Sequence, residues 1–317
     1  MSKLQTAKAL WKKDKLSIIL PIFIKLNKLG LLRWIPSALF LKIDFRLTQG
    51  FPLNLKEPHT FNEKIQWLKL YGYKPVYDNY VDKFAVKDYI REIIGDKYVI
   101  PTYGVWERVD DIEWDKLPQR FVLKTTTGSG GYDVCLCRDK SAFDIEAAKK
   151  KMANSLKNNT YWYGRERPYK NLKPRIMAEM LLESSDDDLP DFKFYCFNGE
   201  PEYCQVIRDR RTRETIDFYD MNWNHQEFYG LNPAARNGSS PVACPVKLDE
   251  MITICRMLSE NIPFVRVDLY EVKGKCYFGE LTFYPASGFG TFTPQDWNGR
   301  IGDLLRLPVE TRANSCL

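Results

Sequence analysis

Two carboxylate side chains are expected to face each other across a β-hairpin near the end of the chain. Residues 264–270 (FVRVDLY) and 276–282 (CYFGELT) are rich in Val, Tyr and Phe, and a Gly-containing turn at Lys273-Gly274 separates them. This pattern predicts two antiparallel strands. Successive residues of a strand point to opposite faces, so a short loop brings Asp268 opposite, or next to opposite, Glu280.

The paired carboxylates need a positive partner, because directly opposed like charges destabilise a sheet. A hard divalent cation bound together with phosphates uses one or two carboxylates of this kind. Arg266 shares the face of Asp268, and Thr282 shares the face of Glu280. The alternative is a solvent-facing hairpin whose acids are balanced by nearby Lys and Arg, and the hairpin alone leaves both interpretations open.

A glycine-rich segment supplies a second candidate site. Residues 121–136 (FVLKTTTGSGGYDVCL) read as a strand, a Gly/Ser/Thr loop and a second strand, with Lys124 on the incoming strand. Glycines let the backbone approach a ligand and leave amide N–H groups free to bind phosphate. The loop ends in a strand and lacks both the Walker A and the Rossmann pattern. It therefore indicates a flap over nucleotide phosphates, although glycine-rich turns without a ligand are common.

Composition limits the class of protein. The 317 residues are 44% hydrophobic and 28% charged, as in a soluble globular protein, and the net charge of +6 favours anionic partners without indicating nucleic acid. The presence of only two histidines argues against a His-based metal centre or a His-dependent nucleophilic triad. The eight cysteines show no CxxC pair, so we expect reduced, mostly core residues in a cytoplasmic protein.

The N-terminal stretch is basic and aromatic. Nine Lys or Arg residues and one acid, Asp14, lie between Lys3 and Lys42. The apolar run from Leu16 to Ile24 is interrupted by Pro21 and is too short to span a bilayer. Such a segment suits peripheral contact with the inner face of a membrane, or packing on the body of the protein with its charges solvated.

Five regions are predicted along the chain: a basic helical segment (1–53), a lead-in domain (54–118), a small subdomain with the flap (119–184), a C-terminal subdomain with the metal site (185–310) and a tail (311–317). In the lead-in domain, Thr60 and Glu63 form a capping-box pattern, and a second helix is predicted from Asp78 to Ile94.

Two features of the C-terminal subdomain bear on the substrate. Asn198-Gly199 predicts a type I′ turn between strands. An arginine cluster follows that hairpin (Arg208, Arg210, Arg211 and Arg213), and its density suits an acidic substrate or a phosphate, the default being an exposed charged loop.

The order of these motifs resembles the ATP-grasp superfamily: Lys124 before the flap, the strand ending 179–182 (EMLL), Lys193 on a hairpin, then Arg266-x-Asp268 and Glu280-x-Thr282. The segments 60–67 (TFNEKIQW), 82–83 (DK), 100–106 (IPTYGVW), 193–199 (KFYCFNG) and 279–283 (GELTF) look like its TupA-like branch, found in clusters for bacterial surface polysaccharide and teichuronopeptide. The resemblance covers about residues 50 to 305 and implies an α+β ATP-grasp fold, two subdomains gripping ATP, with a helical N-terminal extension.

The resemblance also implies roles for single residues. The nucleotide site would comprise Lys124, Gly128, Ser129, Gly130, Gly131, Glu179, Met180, Leu181, Leu182 and Glu183. Asp268, Glu280 and Thr282 would hold Mg²⁺, while Lys193 and Arg266 would act on the transferring phosphoryl group and the reacting carboxylate. Many ATP-grasp enzymes have Asn where Thr282 stands, which puts a second Mg²⁺ in question.

The implied activity is an ATP-dependent carboxylate–amine ligase of capsular or surface polysaccharide biosynthesis. It would join a glycan uronic acid to an amino acid or peptide through an acyl-phosphate, with Arg208, Arg210 and Arg211 facing the acidic glycan. Three alternatives stay open: a glycan kinase using the same site, a glycosyltransferase with a DxD motif at Asp186-Asp187-Asp188, and a membrane-bound scaffold carried by residues 3–42.

Overall fold

A computed structural model describes residues 19–128, 131, 133–182, 189–208, 214–232 and 235–308. Its helices in chain order are α1 (19–28), α2 (Ser37–Gln49), α3 (Phe61–Tyr71), α4 (Tyr77–Val81), α5 (Val86–Ile93), α6 (Ile145–Ser155), α7 (Tyr161–Gly164), α8 (Leu248–Ser259) and α9 (Trp297–Leu304). Short 3₁₀ turns include Arg167–Tyr169 and Pro285–Gly288. Within these residues, no helix is long and apolar enough to cross a membrane.

The strands form two main antiparallel sheets. They are β1 (Thr102–Trp106), β2 (Phe121–Thr125), β3 (Val134–Cys137), β4 (Ile176–Glu179), β5 (Asp191–Phe197), β6 (Glu200–Arg208), β7 (Thr215–Tyr219), β8 (His225–Gln226), β9 (Tyr229–Gly230), β10 (Phe264–Val272), β11 (Lys275–Thr282) and β12 (Phe292–Thr293). The smaller sheet has the order β1-β4-β2-β3, and the larger β11-β10-β5-β6-β7-β8. β12 pairs with β9.

The predicted domain boundaries remain predictions, but the sheets show how the segments combine. β1 lies in the stretch assigned to the lead-in domain, and it pairs with β4 of the smaller sheet. Helices α3 and α8 contribute to the apolar core of the larger sheet, whereas α6 packs on the smaller sheet. The predicted tail, 311–317, lies outside the described residues.

Local signals explain most of these elements. Asn198 and Gly199 both have positive φ, as a type I′ turn requires, and so do Lys273 and Gly274 in the β10–β11 hairpin. The Thr60–Glu63 capping box is present at the start of α3. The described cysteines are free, and most of them are buried, as predicted.

The single helix predicted from Asp78 to Ile94 is wrong. The chain forms α4 and α5 with a break at Asp82, which has extended φ/ψ of −78° and 116°. The Asp82 carboxylate accepts hydrogen bonds from the N–H groups of Phe84 and Ala85, both at 2.9 Å. An aspartate that bonds to following backbone amides favours a new helix start over helix continuation.

The N-terminal helices form a separate apolar cluster that is docked on the body. Phe23 of α1 contacts Phe40 of α2, with 5.2 Å between the ring centroids. Together with Leu41, Phe45 and Leu53 they form a buried core. We call residues 19–53 the N-terminal module.

Beneath this module lies a buried pair of opposite charges. Lys69 is 1% exposed, and its Nζ donates to the backbone oxygen of Ser287 at 2.7 Å and to Ser287 Oγ at 2.9 Å. Burial lowers the pKa of Lys69 to about 8. Burial also raises the pKa of Asp44 to about 6, although Lys69 opposes this shift.

Replacing Asp44 with asparagine is expected to change the pH dependence of stability. A carboxyl pKa raised in the folded state gives stability that is fully present below pH 4 and is lost as pH rises through about 6. The free energy of unfolding of Asp44→Asn minus that of the wild type should therefore increase by roughly 2 kcal/mol from pH 4 to pH 7. Urea denaturation of both proteins across this range measures the difference; a constant difference would contradict the raised pKa.

Candidate active site

The hairpin carboxylates face each other as predicted. Asp268 of β10 is paired directly with Glu280 of β11, and Arg266 is paired with Thr282. A bulge follows Asp268, which locally bends the pair. β5 lies on the other side of β10 and places Lys193 opposite Asp268. Three strands thus bring five predicted site residues into one cluster: Lys193, Arg266, Asp268, Glu280 and Thr282.

Arg266 holds both acids of this cluster. Its Nε donates to Asp268 Oδ1 at 2.6 Å and its Nη2 to Asp268 Oδ2 at 2.7 Å. Nη2 also donates to Glu280 Oε1 at 3.1 Å and to Thr282 Oγ1 at 3.0 Å. Burial lowers the pKa of Arg266, but the charge of Asp268 outweighs it and raises the pKa. The guanidinium is therefore a fixed positive charge between two carboxylates.

Asp268 is the most enclosed member of the cluster. It is 1% exposed and forms an ion pair with Lys193, which also lies 2.9 Å from Asp191 Oδ2. Burial raises the pKa of Asp268 above its ordinary value, although Arg266 and Lys193 oppose this shift. Its ionised form depends on those two cations, because a buried charge without partners is costly.

Glu280 faces the open side. Its side chain is 35% exposed, and Oε1 accepts a hydrogen bond from Thr282 Oγ1 at 3.2 Å. Burial raises its pKa, but Lys83, Lys193, Arg266 and Lys124 together lower it well below the usual range. Ionised Glu280 therefore contributes stability above the ordinary carboxyl pKa, and this contribution is lost as pH falls toward the lowered value.

Lys83 joins the hairpin to the glycine-rich loop. Its Nζ lies 3.5 Å from Glu280 Oε2 and donates to the backbone oxygen of Gly128. No local sequence pattern assigns a role to Lys83, which falls within the helix predicted from Asp78 to Ile94. It belongs only to the 82–83 (DK) segment of the family resemblance.

The base of the glycine-rich loop is tightly built. A Cβ on Gly128 would lie 1.6 Å from Asp133 Oδ2, so only glycine fits there. The Asp133 carboxylate accepts the N–H of Thr125 at 3.1 Å and also bonds to the Thr125 hydroxyl. Gly131 has a φ of +75°, a conformation that favours glycine. Ser129 and Gly130, also predicted to cover phosphates, lie outside the described residues.

A second cluster lies on the smaller sheet around Glu179. This carboxylate is 4% exposed and forms ion pairs with Lys124 and Lys87, the latter at 3.0 Å. Burial raises the pKa of Glu179, but the two lysines outweigh it and lower the pKa. Lys87 is additionally fixed by the backbone oxygen of Ile100 at 2.7 Å and by Thr102 Oγ1 at 2.6 Å. The side chain of Glu179 therefore positions Lys124.

The remaining predicted residues divide into three groups. Met180, Leu181 and Leu182 are half-buried beyond β4, and the Met180 N–H donates to the backbone oxygen of Pro101 at 2.9 Å. Arg208 bonds to Asp217 Oδ2 at 3.1 Å and to the backbone oxygen of Ser240 at 2.8 Å, rather than to the hairpin acids. Glu183, Arg210, Arg211 and the Asp186–Asp188 motif lie outside the described residues.

The donor set fits a magnesium ion bound with phosphates. The described part of the chain contains no group of three or more His, Cys, Asp and Glu side chains arranged for a metal. It does contain two directly opposed carboxylates with a hydroxyl beside them, all oxygen donors, and the Glu280 side chain is partly open. Mg²⁺ takes one or two carboxylates and completes its octahedron with water and phosphate oxygens. Asp268, Glu280 and Thr282 would hold it in place of Arg266 Nη2, which bonds to one oxygen of each of them in this structure.

Comparison with known proteins identifies the family to which the chain belongs. A family model described as TupA-like ATPgrasp matches residues 63–306. The search of curated proteins gave no match.

The chain also matches solved structures at low sequence identity. They include a D-alanine–D-alanine ligase from Bacillus anthracis, with 16% identity, 66% of this chain and 58% of that chain covered, and a TM-score of 0.38. D-cycloserine synthetase DcsG shares 16% identity over 73% of this chain and 70% of that chain, with a TM-score of 0.40. An ATP-grasp RimK domain protein from Sphaerobacter thermophilus shares 13% identity over 79% and 72%, with a TM-score of 0.38. The match thus spans less than three fifths of the Bacillus anthracis ligase chain.

Proposed function

The chain belongs to the TupA-like ATP-grasp family, and on that premise we propose that it is an ATP-dependent carboxylate–amine ligase. The α+β ATP-grasp fold expected from the sequence is confirmed by the same match. The proposed substrates are a glycan uronic acid and the amine of an amino acid or peptide, in bacterial surface polysaccharide biosynthesis. The proposed site of action is the cytoplasm.

The observation that carries the proposal is the cationic enclosure of Glu280. Arg266 Nη2 lies 3.1 Å from Glu280 Oε1, and Lys83 Nζ lies 3.5 Å from Glu280 Oε2. The charges of Lys193 and Lys124 also lower the pKa of Glu280, so four cations from separate segments act on this carboxylate. A site of this kind suits a polyphosphate and a metal ion, because fixed charges in a partly dry site stabilise developing negative charge. Bound Mg²⁺ would neutralise charge on the phosphates.

The reaction proposed has two steps. A carboxylate oxygen of the glycan attacks the γ-phosphorus of ATP, the bond from that phosphorus to the β–γ bridging oxygen breaks, and ADP leaves. The amine nitrogen then attacks the acyl carbon, phosphate leaves and the nitrogen loses a proton, which gives an amide. Lys124 and Lys193 offset charge on the transferring group, and Arg266 offsets charge on the reacting carboxylate.

Turnover with ATP, Mg²⁺, uronic-acid glycans and a pool of amino acids tests this function. ³¹P NMR and glycan mass spectrometry should show ADP, free phosphate and a mass gain equal to an amino acid less water. Phosphate retained on the glycan would make the protein a kinase and would overturn the ligase. Absence of ATP binding would overturn the nucleotide site itself.

Replacing Lys124 with methionine is expected to weaken ATP binding by roughly a hundredfold, because one charge facing the phosphates is lost. Lys87→Met is the matched control, since both lysines pair with Glu179 but the Lys87 side chain is only 7% exposed. Lys87→Met should lower the melting temperature more than Lys124→Met does, and it should weaken ATP binding less. Titration calorimetry and thermal denaturation of both variants measure the contrast; equal losses of affinity would contradict the role of Lys124.

A further inference from the structure

The N-terminal module carries an unusual concentration of exposed apolar side chains. Seven of the 14 exposed large hydrophobic residues among those described lie between residues 19 and 39. They are Ile19, Ile22, Ile24, Leu29, Leu31, Trp34 and Leu39, and Trp34 is 80% exposed. We call these seven residues, with the cations among them, the N-terminal surface. Grouped exposed apolar residues indicate an interaction site, whereas single ones do not.

This surface is basic. Its exposed or half-buried cations are Lys25, Lys28, Arg33, Lys42 and Arg46. Asp44 is the sole acid of residues 19–53, and it is buried on the opposite side of α2. Leu39, Lys42, Ile43 and Arg46 follow helical spacing, so apolar and cationic side chains alternate along one outward face.

A groove opens on the same helix. Lys42, Ile43, Arg46 and Leu47 of α2, with Pro52 and Leu53, line a space of about 410 Å³. Two cations at the border of an otherwise apolar groove match the two parts of a phospholipid, an anionic head group and a hydrocarbon chain.

The inner side of the module is already occupied by the protein. Asn27 Nδ2 donates to the backbone oxygen of Trp162 at 2.9 Å, and Arg165 Nη2 donates to the backbone oxygen of Leu32 at 2.8 Å. The guanidinium of Arg165 also lies 4.3 Å from the Phe40 ring centroid. These contacts hold the inner side of the module against the segment around Trp162 and Arg165.

We propose that the N-terminal surface binds the anionic surface of a phospholipid bilayer. Aromatic and aliphatic side chains would enter the boundary between head groups and acyl chains, while the lysines and arginines contact lipid phosphates. A second copy of the chain fits less well, because it would bring two basic surfaces together without acids to balance them.

Membrane binding would also fix the distance between the bilayer and the glycine-rich loop. The segment 161–170 contacts the module through Trp162 and Arg165. Thr160, directly before it, donates its hydroxyl to the backbone oxygen of Thr127 at 3.1 Å. One short segment therefore connects the module with the base of the glycine-rich loop.

Cosedimentation of the full chain with vesicles tests the proposal. Phosphatidylcholine vesicles containing about one third phosphatidylglycerol should bind the protein, less tightly as salt rises, and pure phosphatidylcholine vesicles should bind it far less. Trp34→Ala should weaken binding by at least about tenfold. Lys42→Gln with Arg46→Gln should weaken it by about twenty-five-fold, at about fivefold per lost charge.

Matched controls assign the effect to this surface. Val246→Ser removes an apolar side chain that is 87% exposed elsewhere, and Lys273→Gln with Lys275→Gln removes two exposed charges from the β10–β11 turn. Both should bind as the wild type does, and all variants should keep the wild-type melting temperature. The proposal would be overturned if the control variants lost vesicle binding as strongly as the Trp34 and Lys42/Arg46 variants do. Equal binding to both vesicle types would also overturn it. So would a loss of binding that appears only when residues 1–18 are deleted. A dimer that Trp34→Ala dissociates would assign the surface to a second copy instead.

Discussion

Replacing Asp268 with asparagine is expected to reduce ligase turnover at least about a thousandfold. Asp268 is 1% exposed and is the shared partner of Arg266 and Lys193. The asparagine amide removes a hard anionic oxygen donor from the proposed magnesium site and leaves both cations without their shared anion. Single-turnover formation of ADP from ATP measures the loss at the chemical step.

A loss of folding would mimic this result, so two checks accompany it. The melting temperature and far-UV circular dichroism of the variant show whether the fold survives. Asp44→Asn is the matched control, because it neutralises another buried aspartate that lies outside the active site. A folded Asp268→Asn enzyme with near wild-type turnover would refute the catalytic role of the hairpin.

Substituting lysine for Arg266 is expected to lower kcat by roughly a hundredfold with a smaller change in stability. Lysine keeps the charge but cannot reproduce the fork in which Nε and Nη2 bond separately to the two oxygens of Asp268. It also cannot reach Glu280 and Thr282 at the same time, as Nη2 does. Steady-state kinetics with varied glycan and varied ATP separates kcat from the two KM values.

The control for this substitution is Arg256→Lys. Arg256 also bonds to a carboxylate, with its Nε 2.8 Å from Glu200 Oε2, but both side chains are exposed. Its replacement should leave kcat unchanged, because an exposed ion pair contributes little. If Arg266→Lys lost only thermal stability and kept its kcat, Arg266 would be a structural residue of the hairpin.

The sequence predicted the hairpins correctly where local rules control the backbone. The Lys273-Gly274 turn fixes the hairpin register, and the period of two along each strand then fixes which side chains share a face. The turn alone would pair Asp268 with Gly279. The bulge between Asp268 and Leu269 shifts the pairing by one residue, so the direct opposition of Asp268 and Glu280 depends on the bulge as well. The helical pattern continues through Asp82, so the sequence predicts no break there. The break arises because the Asp82 carboxylate accepts hydrogen bonds from the N–H groups of Phe84 and Ala85 and so starts a new helix.

The sequence by itself determined the hairpins, the turn types, the capped start of α3 and the identity of the charged residues available for chemistry. The tertiary structure decided which of those charges meet. Lys83 reaches Glu280 and Gly128 through contacts between distant segments, and Lys87 joins Lys124 on Glu179. The tertiary structure also decided which side of the N-terminal module packs against the body of the protein. The physical reason is that hydrogen-bond geometry within a turn or helix is local, whereas the partners of a buried charge are chosen by the packing of the whole chain.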